Sequence, residues 1–473
     1  MSGTVLPAAL QRRHVTMIAL GGIIGAGLFV GSSASIATTG PAIVISYLIA
    51  GTMVMMVMRM LGEMATSTPG RGSFTEYVRL GLGNWAGFTT GWLYWYFWAV
   101  VVGIEAIAGA KLIQLWFDVP LFGTGAALLM LMVGVNMMST RSYGEFEFWF
   151  ASIKVAAIIA FIVVAGGYAS GIGTAGGATF GNLTAHGGFA PHGMTAVFAG
   201  VTSVIFALTG AEITTIAAAE SKEPERAVAQ MTNTVVWRIL IFYVLSIFLV
   251  VSVLPWNDVV VGQSPFAQAL AQVGVPGAAT LMNFVVLTAV LSCLNSGLYV
   301  CSRVLFTLAG EGEAPQFFVV LSRRQVPVRS TLLAAAAGLA TVTASILSPE
   351  GIFSFLINAC GTTVLIIYLL VCLAHIRLRR KLEREAPERI RLRMWLFPWL
   401  SYLTIAAMLT VLVAMALIPE LSAQFYLSLL SLGVALGAYG LLARHRSRQK
   451  AGATTVVSFS DRMPDGADRS IIS

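Results

Sequence analysis

The stretch Gly21-Gly22-Ile23-Ile24-Gly25-Ala26-Gly27-Leu28-Phe29-Val30-Gly31 puts five glycines into eleven residues. It lies inside an apolar run, roughly 15–37, that is long enough to cross a bilayer as a helix. Each glycine inside a helix costs about 1 kcal/mol relative to alanine, so a cluster of this density needs a reason. Two are open. Gly21/Gly25 and Gly27/Gly31 have the spacing that lets two membrane helices approach closely. Alternatively, the helix unwinds near Gly25–Gly27 and bares backbone groups, which survive at membrane depth only where they line protein or water. The GxG in this run is not a dinucleotide fingerprint, because no strand precedes it and no third glycine follows at the required spacing.

Moving outward, the same length rule marks further apolar runs. Twelve are read in all, at roughly 15–37, 41–66, 86–114, 122–139, 146–168, 193–219, 234–255, 278–307, 329–348, 350–375, 395–418 and 423–443. Composition agrees: of 473 residues, 57% are hydrophobic and only 11% charged, with a mean hydropathy of +0.83. A soluble fold cannot hide that much apolar surface behind so few charges. The net charge of +8 does not point to nucleic acid, because the basic residues lie between apolar runs and not on one polar face.

Loop charge then orients the chain. Lys and Arg fall in alternate loops: Arg12 and Arg13, Arg71 and Arg79, Arg141, Lys222 and Arg226, Arg323 and Arg324, Arg377 to Arg393, and Arg444 to Lys450. The intervening loops 169–192, 256–277 and 419–422 carry none. This asymmetry predicts both termini in the cytoplasm. Residues 1–14 are read as a cytoplasmic N-terminus with no cleaved leader, and 444–473 as a cytoplasmic tail, disordered from 451 onward. Short amphipathic patterns at 69–85 and 308–325 predict helices along the inner membrane surface, and the basic segment 377–393 reads as a solvated anchor.

The sixth run holds a second irregularity, Phe206-Ala207-Leu208-Thr209-Gly210-Ala211-Glu212, with a glycine and a carboxylate in mid-span. Interruptions at matching places in two halves point to a transporter site. Here they fall in runs 1 and 6. That predicts an all-α fold with two five-helix inverted repeats, 15–168 and 193–375, and two appended helices over 395–443. A broken helix offers N–H groups at the start of its second half and carbonyls at the end of its first. The former suit a carboxylate and the latter an ammonium. Ile24, Gly25, Ala26 and Gly27 are therefore assigned to the carboxylate of a zwitterion, and Phe206, Ala207 and Leu208, with Gly210 at the turn, to its amine.

Glu105 lies in mid-span in the third run, Lys154 in the fifth and Glu212 in the sixth. Intramembrane carboxylates mark substrate or proton routes, and a lysine about two turns inside its span titrates readily. All three are candidates for proton coupling. Arg59 and Lys111, nearer span ends, read as snorkelling. Trp92, Trp95 and Trp98 read as packing or interfacial residues. Cys293, Cys301, Cys360 and Cys372, which show no CxxC and no nearby histidine, read as small apolar packing residues. Without HExxH, GxSxG or clustered histidines no enzyme is expected, and no cofactor or metal is called for. No filter-like repeat suggests a channel.

The string from Gly22 to Ser32 resembles the first-helix motif of the amino acid–polyamine–organocation superfamily. Within it the chain is similar to bacterial proton-coupled amino acid transporters, and to γ-aminobutyrate permeases in particular. That likeness rests on Arg13–Met17, Arg59–Met64, Gly91–Trp95, Tyr143–Trp149, Ala217–Ser221, Leu254–Asn257, Leu291–Tyr299 and Arg391–Leu396. The resemblance implies a leucine-transporter-like fold and residence in a bacterial inner membrane. It also implies that Lys154 stands where sodium-coupled relatives hold sodium, and that Glu105 and Glu212 match acidic positions tied to substrate or proton movement. The expected activity is symport of γ-aminobutyrate or a related ω-amino acid with a proton, driven by the proton gradient. An α-amino acid permease and an exchanger are the alternatives. One departure stands out. The family's sixth-helix break usually reads Phe-Ser-Phe, whereas this chain has Phe206-Ala207-Leu208.

Overall fold

The computed structural model describes residues 12–68, 73–172, 177–219, 236–344, 346 and 351–460. These are helical, without strands among the described residues. The first apolar run is two pieces: α1 (Arg12–Ile23), then a π-helical turn over Gly27–Gly31 that leads into α2 (Ser32–Thr39). Next come α3 (Ile43–Ser67), α4 (Phe74–Leu82), α5 (Asn84–Ile113), α6 (Leu121–Asn136), α7 (Thr140–Ala169) and a short α8 (Asn182–Ala185). The sixth run is also split, into α9 (Gly193–Leu208) and α10 (Ile213–Ala219). The remainder is α11 (Val236–Val253), α12 (Pro265–Val273), α13 (Ala278–Gly310), α14 (Val328–Ala344), α15 (Gly351–Glu385), α16 (Trp399–Leu417) and α17 (Pro419–Ser460). Among the described residues, eight helical stretches are long and apolar enough to cross a membrane, and three shorter apolar helices accompany them.

Helices α5 and α13 form the most extensive contact in the bundle. Both are buried on nearly every face through their central turns, which is why neither shows a polar stripe. Around this pair pack α1 against α7, α10 and α13, and α9 against α2, α3 and α15. The two split runs therefore lie next to each other in the middle of the bundle. By contrast α16 and α17 expose Leu403, Val413, Leu430 and Val434, an apolar outer face suited to lipid.

Several sequence expectations change. Helix α7 starts at Thr140, not near 146, because Ser139 caps it by accepting a hydrogen bond from Ser142 N–H. Lys154 is thus about four turns in, fully buried. Arg59 does not snorkel: α3 continues to Ser67, and its guanidinium donates to the Arg393 carbonyl and lies over the Trp395 ring. The segment 377–393 is only partly a solvated anchor, since α15 runs on to Glu385 and Arg379 is buried in an ion pair with Glu63. Over 308–325 a 3-10 turn at Gln316–Val319 replaces the expected surface helix, because α13 itself extends to Gly310. Of 69–85, α4 supplies the amphipathic helix, and 69–72 lie outside the described residues. Helix α17 continues through Ser460, into the stretch for which disorder was expected; no proline interrupts the chain between 420 and 460. Residues 1–11 and 461–473, and Lys222 and Arg226, also lie outside the described residues.

Candidate functional site

Both glycine-marked irregularities are helix breaks, and they abut. In the first run the helix is interrupted at Ile24 and Gly25. In the second it is interrupted over Thr209–Glu212, just beyond Leu208, where Thr209 turns extended and Gly210 takes φ +125°. That conformation is strained for any residue with a Cβ. Sterics add to it, because a Cβ on Gly210 would meet the Gly22 carbonyl oxygen at 2.6 Å. On the other side of the breaks, Gly27 packs against Ala207 so closely that a Cβ would lie 2.7 Å from the Ala207 Cα.

The first break does what free helix N–H groups are expected to do. The Ala26 N–H points at a carboxylate, that of Glu105 from α5, with both oxygens at 3.1 Å. Gly25 gives the close approach: a Cβ there would meet Glu105 Oε1 and Cys293 Sγ, each at 2.7 Å. Cys293, on α13, also approaches the Gly22 carbonyl at 3.8 Å. Tyr243 of α11 donates to the Ile23 carbonyl at 3.0 Å. Thus the last carbonyls of α1 and the first N–H of its continuation are all met by buried side chains.

At the second break the partner is Glu212 itself. Its carboxylate accepts from the Tyr94 hydroxyl of α5 and the Tyr368 hydroxyl of α15, both at 3.0 Å, and from the Gly210 N–H at 3.2 Å. The Phe206 carbonyl is already taken by Thr209 N–H at 3.2 Å. Ala207 and Leu208 stand in the final turn of α9, where carbonyls run out of helical donors.

Lys154 lies on α7 beside this assembly. Its Nζ is 4.0 Å from Glu147 Oε1, with both side chains fully buried. Glu147 is two turns earlier on the same helix face and also accepts a hydrogen bond from Ser292 of α13. Ser292 is the neighbour in sequence of Cys293, so α13 carries the Glu147 contact and the Glu105 contact on adjacent residues. Two carboxylates, a thiol and an ammonium thereby form one chain of contacts from Lys154 to the first break.

The sequence-assigned residues Ile24, Gly25, Ala26, Gly27, Phe206, Ala207, Leu208, Gly210, Glu105, Lys154 and Glu212 are brought together here. Glu147, Tyr94, Tyr368 and Tyr243 carry no role in the sequence reading, and Cys293, read there as a packing residue, meets the first break. For Glu147 a signal existed: a carboxylate seven residues before an intramembrane lysine shares its face. The apolar run begins near 146, so in sequence Glu147 stands at the edge of the span. Cys293 and the tyrosines give no such signal, since their roles come from contacts between distant helices.

Residues 14–451 match the amino acid permease family. The chain belongs to the amino acid permease family. It is a multi-pass membrane protein, and its substrate is an amino acid. Among relatives of this permease, the γ-aminobutyric acid permease of Bacillus subtilis is 46% identical over 97% of this chain and 98% of its own length. The γ-aminobutyric acid permease of Escherichia coli is 43% identical over 88% and 89%. An aromatic amino acid transport protein of Corynebacterium glutamicum is 39% identical over 85% and 87%.

Proposed function

We propose that this permease takes up γ-aminobutyrate, or a close ω-amino acid, by symport with a proton. The polypeptide would cross a bacterial inner membrane twelve times, as two inverted five-helix repeats with two appended helices and both termini in the cytoplasm. The observation that carries the reading is the Glu105 carboxylate on the Ala26 N–H at the first helix break. The chain's own acid occupies the spot where a substrate carboxylate would be held, beside a second break whose last carbonyls suit an ammonium.

Coupling follows from competition at that N–H. A substrate carboxylate arriving there displaces Glu105 toward Cys293 and the Lys154–Glu147 pair. Two buried carboxylates, Glu105 and Glu147, then share the Lys154 ammonium, and adding a proton relieves the imbalance. Symport results if the proton enters with the substrate and leaves with it. The names of the relatives favour γ-aminobutyrate as cargo. Ala207 supports a second reading. It faces Gly27 at the break and stands, with Leu208, where the family pattern differs, so an α-amino acid with a bulkier side chain is the alternative cargo.

The test is uptake of labelled γ-aminobutyrate into proteoliposomes with an imposed inward proton gradient and α- and ω-amino acids as competitors. Gradient-dependent accumulation, blocked best by ω-amino acids, is the expected result. Proton-driven uptake of an α-amino acid with none of γ-aminobutyrate would overturn the cargo. Equal uptake with and without the gradient would overturn the coupling.

A further inference from the structure

Most of helix α7 turns outward: Phe146, Trp149, Ile153 and Val163 are exposed, on a surface suited to lipid. One narrow face is buried, and its first half is polar. Thr140, Tyr143, Glu147 and Lys154 share it, at the three- and four-residue spacing of a single helical stripe. Helix α13 sets a second polar stripe against the first: Ser292, Ser296, Tyr299 and Arg303, again three or four apart and all buried.

The two stripes meet rung by rung. Lys154 Nζ stands 4.0 Å from Glu147 Oε1, which also accepts from the Ser292 hydroxyl. Ser296, one turn further along α13, comes within reach of the same carboxylate. Glu147 Oε2 is buried and takes no hydrogen bond. The Ser296 and Tyr143 hydroxyls are 3.0 Å apart. Beyond them the Tyr143 ring stacks on Tyr299, with centroids 4.2 Å apart, and Arg303 lies over Tyr299 while donating to Thr140 at 3.0 Å. The order of these contacts makes the helices antiparallel and carries the seam to the first turn of α7, next to Arg141.

The seam runs in one direction only. On the other side of Lys154 the buried face of α7 continues as Ile158, Phe161 and Ala165, and that of α13, beyond Ser292, as Ala289, Val286 and Met282. Helix–helix adhesion alone gives no reason for hydroxyls to collect on one side of the ammonium. A hydroxyl accepts on one side while it donates on the other, so a row of them can pass a proton where no ion could travel.

We propose that Ser296 and Tyr143 carry the coupled proton from the Lys154–Glu147 pair to the Thr140 end of the bundle. The inference rests on the reading that this pair takes up a proton with the substrate. The Lys154 ammonium gives a proton to Glu147 Oε2 and becomes an amine. Glu147 passes it to the Ser296 oxygen as the hydrogen of Ser296 moves to Tyr143 and that of Tyr143 moves to water at the Thr140 end. Each hydroxyl keeps one hydrogen, Glu147 is again a carboxylate, and one proton has left the ammonium for water.

The test uses the full chain in proteoliposomes with the arginine-bearing loops inside and a pH dye in the lumen. Tyr143→Phe keeps the ring on Tyr299 and loses only the hydroxyl; Ser296→Ala removes the other. In both, lumen acidification driven by γ-aminobutyrate should slow by about tenfold, while exchange of labelled for unlabelled γ-aminobutyrate slows far less. Acidification at the parental rate in either variant overturns the route. So does an equal loss of acidification and exchange in folded protein, which is what a merely structural role would give. Tyr143→Phe decides the matter if Ser296→Ala fails to fold. Parent chain that exchanges γ-aminobutyrate but never acidifies the lumen would instead bring down the coupling on which the route depends.

Discussion

Where α3, α4 and α15 end, each buried carboxylate faces a guanidinium. Glu63 accepts from Arg379 Nη1 at 2.8 Å, and Arg379 Nε also donates to Glu383 at 2.8 Å. Glu313 takes both arms of Arg79, at 2.6 and 2.7 Å. Around the helix breaks the arrangement is different. Glu105 and Glu212 rest on backbone N–H groups and tyrosine hydroxyls, and Lys154 stands 4.0 Å from Glu147. Forked guanidinium pairs are short, directional and hold their charge at any ordinary pH. Carboxylates on neutral donors can change protonation without tearing a guanidinium fork apart. The first region holds helices in place; under the proposed coupling it is the second that changes state.

Removing a partner from the first region should have the largest effect, and on stability. Arg379→Ala takes the guanidinium from buried Glu63, leaving it the His375 ring at 3.2 Å and the Met394 N–H, and should cost about 3 kcal/mol, read as a fall in thermal unfolding temperature, while transport per folded molecule persists. If Arg379→Ala were as stable as the parent, the contrast between the regions would fail. Glu105→Gln should do the opposite. The amide oxygen still accepts from Ala26 N–H, so stability should stay within about 1 kcal/mol, while proton-driven accumulation falls by a factor on the order of 100. Glu212→Gln sharpens the point. Its acceptor oxygens for Tyr94 and Tyr368 are partly retained, so unfolding should shift by about 1 kcal/mol or less.

Arg79→Lys should have the smallest effect, about 1 kcal/mol or less, through loss of the second arm of the fork. For Arg79, burial works against the charge, but the hydrogen bonds and charge of Glu313 outweigh it and hold the guanidinium above its ordinary value. A raised value gives stabilisation that is complete below the unfolded value and is lost only as pH rises through the folded one. The difference in unfolding between Arg79→Lys and the parent should therefore stay flat from about pH 6 to 9. A difference that varied strongly over that range would show another group to be in control.

The positions of the apolar runs and of both breaks could be read from the chain, because length, glycine density and a mid-span carboxylate are local signals. Gly25 and Gly210 announced themselves in this way. The partners did not. Nothing local says that Ala26 N–H meets Glu105, seventy-nine residues away, or that Tyr94 and Tyr368 close on Glu212 from two other helices. In a membrane the lipid is as apolar as the protein, so hydrophobic periodicity does not tell which neighbour a helix face meets. Arg59 and Arg379 misled for the same reason: charge near the end of a run looks solvated until the adjoining segment is seen to fold over it.

The central claim is that the Lys154–Glu147 pair couples protons to a substrate held at the breaks without itself holding that substrate. Exchange of labelled for unlabelled γ-aminobutyrate across proteoliposomes carrying Lys154→Ala, beside gradient-driven accumulation by the same variant, tests it most directly. The account predicts that exchange survives and accumulation is lost. Accumulation at the parental level in Lys154→Ala, or a proportionate loss of both activities in protein that remains folded, would contradict it.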